Sequence, residues 1–193
     1  MKNIILLITA LTTLLFSQAP DWTSPQTTNI DASSVSSFDI FSNGYAHHVI
    51  VQESNSLKYY KMDANGNSDN AITIESSSVV SPSICGDNNR LYVVYRKSSE
   101  NYIRTKFSSD GGSTWSYLSS NPQNSNANSM ESVFSNNKLH VTFDVSNVAY
   151  YSYYNTENPG WSSLQTVSYS ENGTTPRITA LYTSTQDRVM FLY

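Results

Sequence analysis

The chain has 193 residues, of which 13% are charged, a formal charge of −4 and fourteen tyrosines. That balance suits a soluble, β-rich extracellular protein and argues against a disordered or membrane chain, and no basic patch invites nucleic acid. The single cysteine, Cys85, excludes an intramolecular disulfide and reads as a small buried thiol.

Met1-Lys2-Asn3 precedes thirteen largely apolar residues, 4–16, and then Ser17-Gln18-Ala19-Pro20. A basic start, a short apolar run and small residues after it form the pattern of a secretory signal peptide over residues 1–19, with cleavage near Gln18 or Ala19. The run is shorter than the ~20 residues that span a bilayer, and a buried strand is its alternative. The expectation is a protein exported to the medium or the cell surface, with no membrane span in the mature chain 20–193.

From there the chain repeats itself. Residues 38–51 read as strand, polar turn and strand, with Ser42-Asn43-Gly44 at the turn. Residues 57–66 follow as a third strand ending in Asp63-Ala64-Asn65-Gly66. The run Asp63 to Asp69 has the look of a calcium loop, but its glycine is misplaced for an EF-hand, and a turn is the simpler reading. The second unit, 83–95, lines up with 131–143 at an offset of 48 residues, and both read strand, turn, strand. The fourth unit starts at Pro176-Arg177-Ile178-Thr179 and continues through 188–193. Four units at a period near 46–50 predict short antiparallel strands in radial sheets, the pattern of a β-propeller.

In the second unit, Ile103 to Phe107 is followed by Ser108-Ser109-Asp110-Gly111-Gly112-Ser113-Thr114-Trp115. This reads as a hairpin turn. Asp110 accepts backbone N–H groups, Gly111 and Gly112 permit φ > 0, Ser108 and Thr114 close the turn locally, and Trp115 anchors the returning strand. The third unit keeps Trp161 at the same offset, with Thr156 where the aspartate should stand. Asp63 and Trp161 therefore mark degenerate copies of one turn.

As it stands, Ser-x-Asp-x-Gly-x-Thr-Trp resembles the Asp-box of the sialidase-like (BNR-repeat) β-propellers, with Ser108, Asp110, Gly112, Thr114 and Trp115 filling the defining positions. The resemblance implies an all-β fold of four-stranded antiparallel blades and assigns these residues to a structural turn, on the rim away from the ligand face. It implies no catalysis by them. About three and a half blades are present. Residues 22–27 resemble 161–166, an outermost strand, and Tyr193 falls inside an apolar strand. The expectation is the N-terminal part of a six-bladed ring, with assembly of two copies as the alternative.

Family members that hydrolyse sialosides are expected to use three arginines, a Tyr/Glu nucleophile pair and an acidic residue. The Arg-Ile-Pro sequence that carries the first clamp arginine is absent. Unit one has no arginine, and Arg177 lies in unit four in the wrong order. No catalytic residue is therefore assigned, and two readings stay open. One is a non-catalytic module that binds a glycan or a cell-surface protein, and the other is an exo-α-sialidase whose remaining residues lie beyond Tyr193. Tyr150, Tyr151, Tyr153 and Tyr154 read as packing between blades. His47 and His48 point to opposite faces of a strand and cannot share an ion. His47 and His140 occupy similar places in their units, but the units are not neighbours. No metal or cofactor is expected. Asn172-Gly173-Thr174 fits a glycosylation sequon.

Overall fold

A computed structural model describes residues 30, 34–118, 126–169, 177–183 and 186–192, with backbone alone beyond residue 167. The expected signal peptide, residues 22–27, Pro176, the sequon and Tyr193 lie outside the described residues. No helix occurs among the described residues, so none there is long and apolar enough to cross a membrane.

The chain forms successive antiparallel sheets in sequence order. The first holds β1 (Val35–Ser42), β2 (His47–Glu53), β3 (Ser56–Met62) and β4 (Ile72–Glu75). The second holds β5 (Val79–Gly86), β6 (Leu91–Lys97), β7 (Ile103–Ser108) and β8 (Ser116–Tyr117). The third holds β9 (Met130–Ser135), β10 (Lys138–Val145), β11 (Val148–Asn155), β12 (Gly160–Trp161) and β13 (Gln165–Tyr169). A hairpin of β14 (Arg177–Thr183) and β15 (Gln186–Leu192) follows. Two-residue loops close the hairpins of the third sheet. Asn136 and Asn137 have φ of 46° and 56°, and Ser146 and Asn147 have 50° and 65°, the double positive φ of turns whose twist matches the strands.

The third sheet departs from the expected four strands, because β12 and β13 both pair with β11. Ser162 accounts for the break. Its Oγ accepts the Tyr153 N–H at 3.0 Å, where a backbone carbonyl would otherwise continue the ladder.

Alternation sets the packing. Along β6, Leu91, Val93 and Tyr95 join Ile50, Leu57 and Tyr59 of the first sheet, while Tyr92 and Val94 join Leu139, Val141 and Phe143 of the third. A strand buried on both faces must be apolar at consecutive positions, as β6 is. Each such side chain contributes about 1.5–3 kcal/mol by leaving water. The first strand of each sheet lies beside the first strand of the next, β1 by β5, β5 by β9 and β9 by β14.

Side chains tie these first strands together. Asp39 Oδ2 accepts the Ile84 N–H at 2.8 Å and the Ser83 hydroxyl at 3.0 Å. Ser83 Oγ in turn accepts the Ser132 N–H at 3.0 Å and lies 2.9 Å from Ser132 Oγ. Edge N–H groups that would stand open are thus capped from the preceding sheet.

Candidate functional site

The 108–115 turn is built almost wholly from its own side chains. Asp110 Oδ1 accepts the Thr114 N–H at 2.9 Å, and Oδ2 accepts the Thr114 hydroxyl at 2.6 Å. Ser108 Oγ donates to Asp110 Oδ1 at 2.7 Å and accepts the Gly112 N–H at 2.8 Å. These bonds, those from Thr114 foremost, hold the Asp110 carboxyl down at about 2. Trp115 Nε1 closes the turn on Gly112 O at 3.0 Å.

The turn also meets the first sheet. The Trp115 ring packs edge-on against Tyr59, centroids 5.3 Å apart, and the Tyr59 hydroxyl donates to Gly111 O at 3.0 Å. Behind Tyr59, its oxygen lies 2.7 Å from Nδ1 of buried His48. A phenol has one proton, already given to Gly111, so His48 Nδ1–H is the donor of that second bond. His48 Nε2 is then the bare nitrogen, buried with no hydrogen-bond partner among the described residues. Burial first, then the nearby Lys61 and His47 charges, pull the His48 pKa down to about 4.

The turns at 63–67 and 156–161 differ in kind. Asp63 Oδ1 accepts the Asn67 N–H at 2.9 Å, and Oδ2 accepts Asn67 Nδ2 at 3.1 Å. Asn67 therefore does for Asp63 what Thr114 does for Asp110, four residues on with both backbone and side chain. That carboxylate closes the 63–67 turn from within. At 156–161, Thr156 instead donates its N–H and its hydroxyl to Asn137 O, at 2.9 and 2.8 Å. Trp161 leans on Tyr154, centroids 5.4 Å apart.

The histidine comparison needs a correction. His140 Nδ1 lies 2.7 Å from Tyr151 Oη, as His48 Nδ1 does from Tyr59 Oη, and both pairs are eleven residues apart. The counterpart of His140 is His48, because strand pairing, not position in the sequence unit, fixes which histidine turns inward. Among the described residues no group of three or more His, Cys, Asp or Glu side chains could hold a metal ion.

A second polar cluster, unforeseen in the sequence, joins the first two sheets at the other end of the strands. Glu75 Oε2 accepts the hydroxyls of Tyr95 at 3.0 Å and Tyr117 at 2.9 Å, and Lys97 Nζ reaches Oε1 at 3.3 Å. Burial pushes the Glu75 carboxyl up, but the Tyr117 and Tyr95 hydroxyls, Ser76 N–H and Lys97 outweigh it and hold it at about 2. Tyr95 is fully buried, and burial raises its hydroxyl well above the ordinary range. The cluster is an inter-sheet tie.

The described guanidinium groups are engaged elsewhere. Arg96 donates to Ala127 O at 2.9 Å, Arg104 pairs with Glu100 and Arg90 stacks over Phe134. Arg177 opens β14. Burial pushes the Cys85 thiol up to about 12, so it is a packed, unreactive group. No protein-family model matches this chain, and no curated protein matches it.

Proposed function

We propose that the chain is a sialidase-like β-propeller segment of the Asp-box class, exported by its N-terminal signal peptide, which binds a glycan or a cell-surface protein and does not hydrolyse sialosides. The observation that carries this reading is the turn itself: Asp110 grips Thr114 through backbone and side chain together, and Asp63 grips Asn67 in the same way. A local pattern repeated with a changed residue but unchanged bonding supports one inherited module.

The radial arrangement is supported by the faces of the sheets. Ile40, Val49 and Val51 stand where Ile84, Val93 and Tyr95 stand in the second sheet, and those are at most 3% exposed beneath their neighbour. Val49 and Val51 are themselves covered, at 6% and 3%, with Ile30, Val35 and Met62 around them, whereas Phe38 and Ile40 on the first strand are 69% and 53% exposed. A face of this kind is suited to a further sheet of the same design, as in a six-bladed ring.

Binding is favoured over hydrolysis because the first sheet carries no arginine and the Arg96 and Arg104 guanidiniums serve structural partners. The complete protein, offered a fluorogenic sialoside, is expected to release no fluorophore while retaining glycans or a cell-surface protein on an array. Turnover at an enzyme's rate would establish the exo-α-sialidase alternative instead.

A further inference from the structure

From the His140–Tyr151 pair on the third sheet we infer a docking site for one kind of hairpin turn, with paired glycines and an indole, supplied by the sheet that β14 and β15 begin. It rests on the propeller-segment reading above and adds what the next sheet must carry.

The first sheet shows such a site filled. His48 and Tyr59 are stacked, centroids 6.0 Å apart and planes 17° apart. The Tyr59 hydroxyl meets His48 Nδ1 at 2.7 Å and donates to Gly111 O, and the Trp115 ring stands edge-on to the phenol. Both glycines of that turn have positive φ, and a Cβ on Gly112 would stand 2.2 Å from Tyr59 Cζ.

The third sheet carries the same receptor. His140 and Tyr151 stack with centroids 5.9 Å apart and planes 12° apart, and Nδ1 again lies 2.7 Å from the phenol oxygen. Tyr151 pairs with Thr142, two beyond His140, as Tyr59 pairs with Ile50, two beyond His48. Leu139, Val141 and Phe143 pack toward the second sheet, so alternation turns His140, Thr142 and Tyr151 to the opposite face. β14 lies against β9 and β10, as β5 lies against β1 and β2. A third strand beyond β15 then arrives over β11, and the turn after it over Tyr151.

The second sheet lacks the phenol. Thr105 pairs with Val94, two beyond Tyr92, and so holds the place of Tyr59 and Tyr151 without a ring. The turn of the third sheet, whose Trp161 packs into the core shared with the second, has Glu157 and Asn158 where Gly111 and Gly112 stand. Glycines thus accompany the phenol, and side chains return where it is missing. The physical reason is that a turn carbonyl reaches a phenol hydroxyl under the ring only where no Cβ intervenes. The turn that meets Tyr151 therefore carries two glycines, the first giving its carbonyl to the hydroxyl, and a tryptophan against the ring.

The test is photo-crosslinking in the complete protein, with benzoylphenylalanine in place of Tyr151 and, as control, in place of Tyr59. Peptide mapping should find the probe at 59 joined to residues 111–115, and the probe at 151 joined to a turn of the fourth sheet with adjacent glycines followed by tryptophan. Hydrogen exchange reads the same contact without a bulky probe. Tyr151→Phe should speed exchange in that turn roughly tenfold, as Tyr59→Phe should in 109–114. Crosslinks to a second copy, or to a fourth-sheet turn with side chains at both glycine positions, overturn the docking site and leave the propeller reading standing. Exchange in that turn unchanged by Tyr151→Phe does the same. A complete protein with no further strands in the fourth sheet removes the propeller reading, and the site with it.

Discussion

Alanine at Gly112 tests the point where the 108–115 turn locks onto the neighbouring sheet. A Cβ there would stand 2.2 Å from Tyr59 Cζ and 2.3 Å from its hydroxyl oxygen, on a backbone at φ +96. Gly111, at φ +70, would meet only the mobile end of Lys61 at 3.9 Å, so Gly111→Ala measures the backbone contribution alone. A left-handed alanine costs about 1–2 kcal/mol, of which a stiffer unfolded chain returns about 0.4–1 kcal/mol. Overlap with a ring that is itself buried adds roughly 1–3 kcal/mol. Gly111→Ala should therefore cost about 1 kcal/mol and Gly112→Ala about 2–4 kcal/mol. At about 2–4 °C per kcal/mol for a chain of this size, the second substitution lowers the melting temperature by roughly 5–15 °C. Circular dichroism during heating and in urea reads both. In a Tyr59→Leu background, which removes the obstructing atoms, the two alanines should cost the same. If the two glycines tolerate alanine equally in the native background, the claim that Tyr59 holds this turn is refuted.

Stability should also fall in mild acid through His48, whose folded value of about 4 lies below its ordinary 6.5. The unfolded chain takes up that proton first, so the contribution is whole above pH 6.5, erodes as pH falls and is gone below about 4. At most about 3 kcal/mol is at stake, and urea midpoints across this range should flatten in His48→Gln. Glu75→Ala leaves the buried Tyr95 hydroxyl and Lys97 without their acceptor and should cost about 2–4 kcal/mol in the same assay. A loss under 1 kcal/mol would mean that the cluster contributes little. Asp110→Ala and Trp115→Ala should lower the melting temperature and leave any ligand affinity intact, and weakened binding at an unchanged melting temperature would speak against their structural role.

What the sequence made legible was local. The bonds of the 108–115 turn run from residue i to i+2, i+3 or i+4, so spacing alone predicts them, and the hairpin turn at Asn136 announces itself in the same way. What it hid depends on register across strands. Two adjacent histidines look alike until the pairing of β2 with β3 turns His48 toward Tyr59 and leaves His47 on the other face. Asn67 escaped notice because the motif names a threonine, whereas the chemistry needs only a side-chain donor four residues beyond the aspartate. Glu75 meets Tyr95 and Tyr117 over separations of twenty and forty-two residues, which no periodicity encodes. The split of β12 from β13 turns on one serine hydroxyl competing with backbone.

The positions of these ties explain why the sheets depend on one another. Along the first strands Asp39 caps β5 and Ser83 caps β9, and elsewhere Tyr59 bonds Gly111 while Glu75 holds Tyr95 and Tyr117. In each case a group of one sheet satisfies a donor or acceptor of its neighbour, and where that group is buried, as the Tyr95 hydroxyl is, leaving it alone would cost about 1–3 kcal/mol. Removing one sheet thus exposes an apolar face and also orphans polar groups in its neighbour, so folding of adjacent sheets is coupled through two kinds of interaction at once.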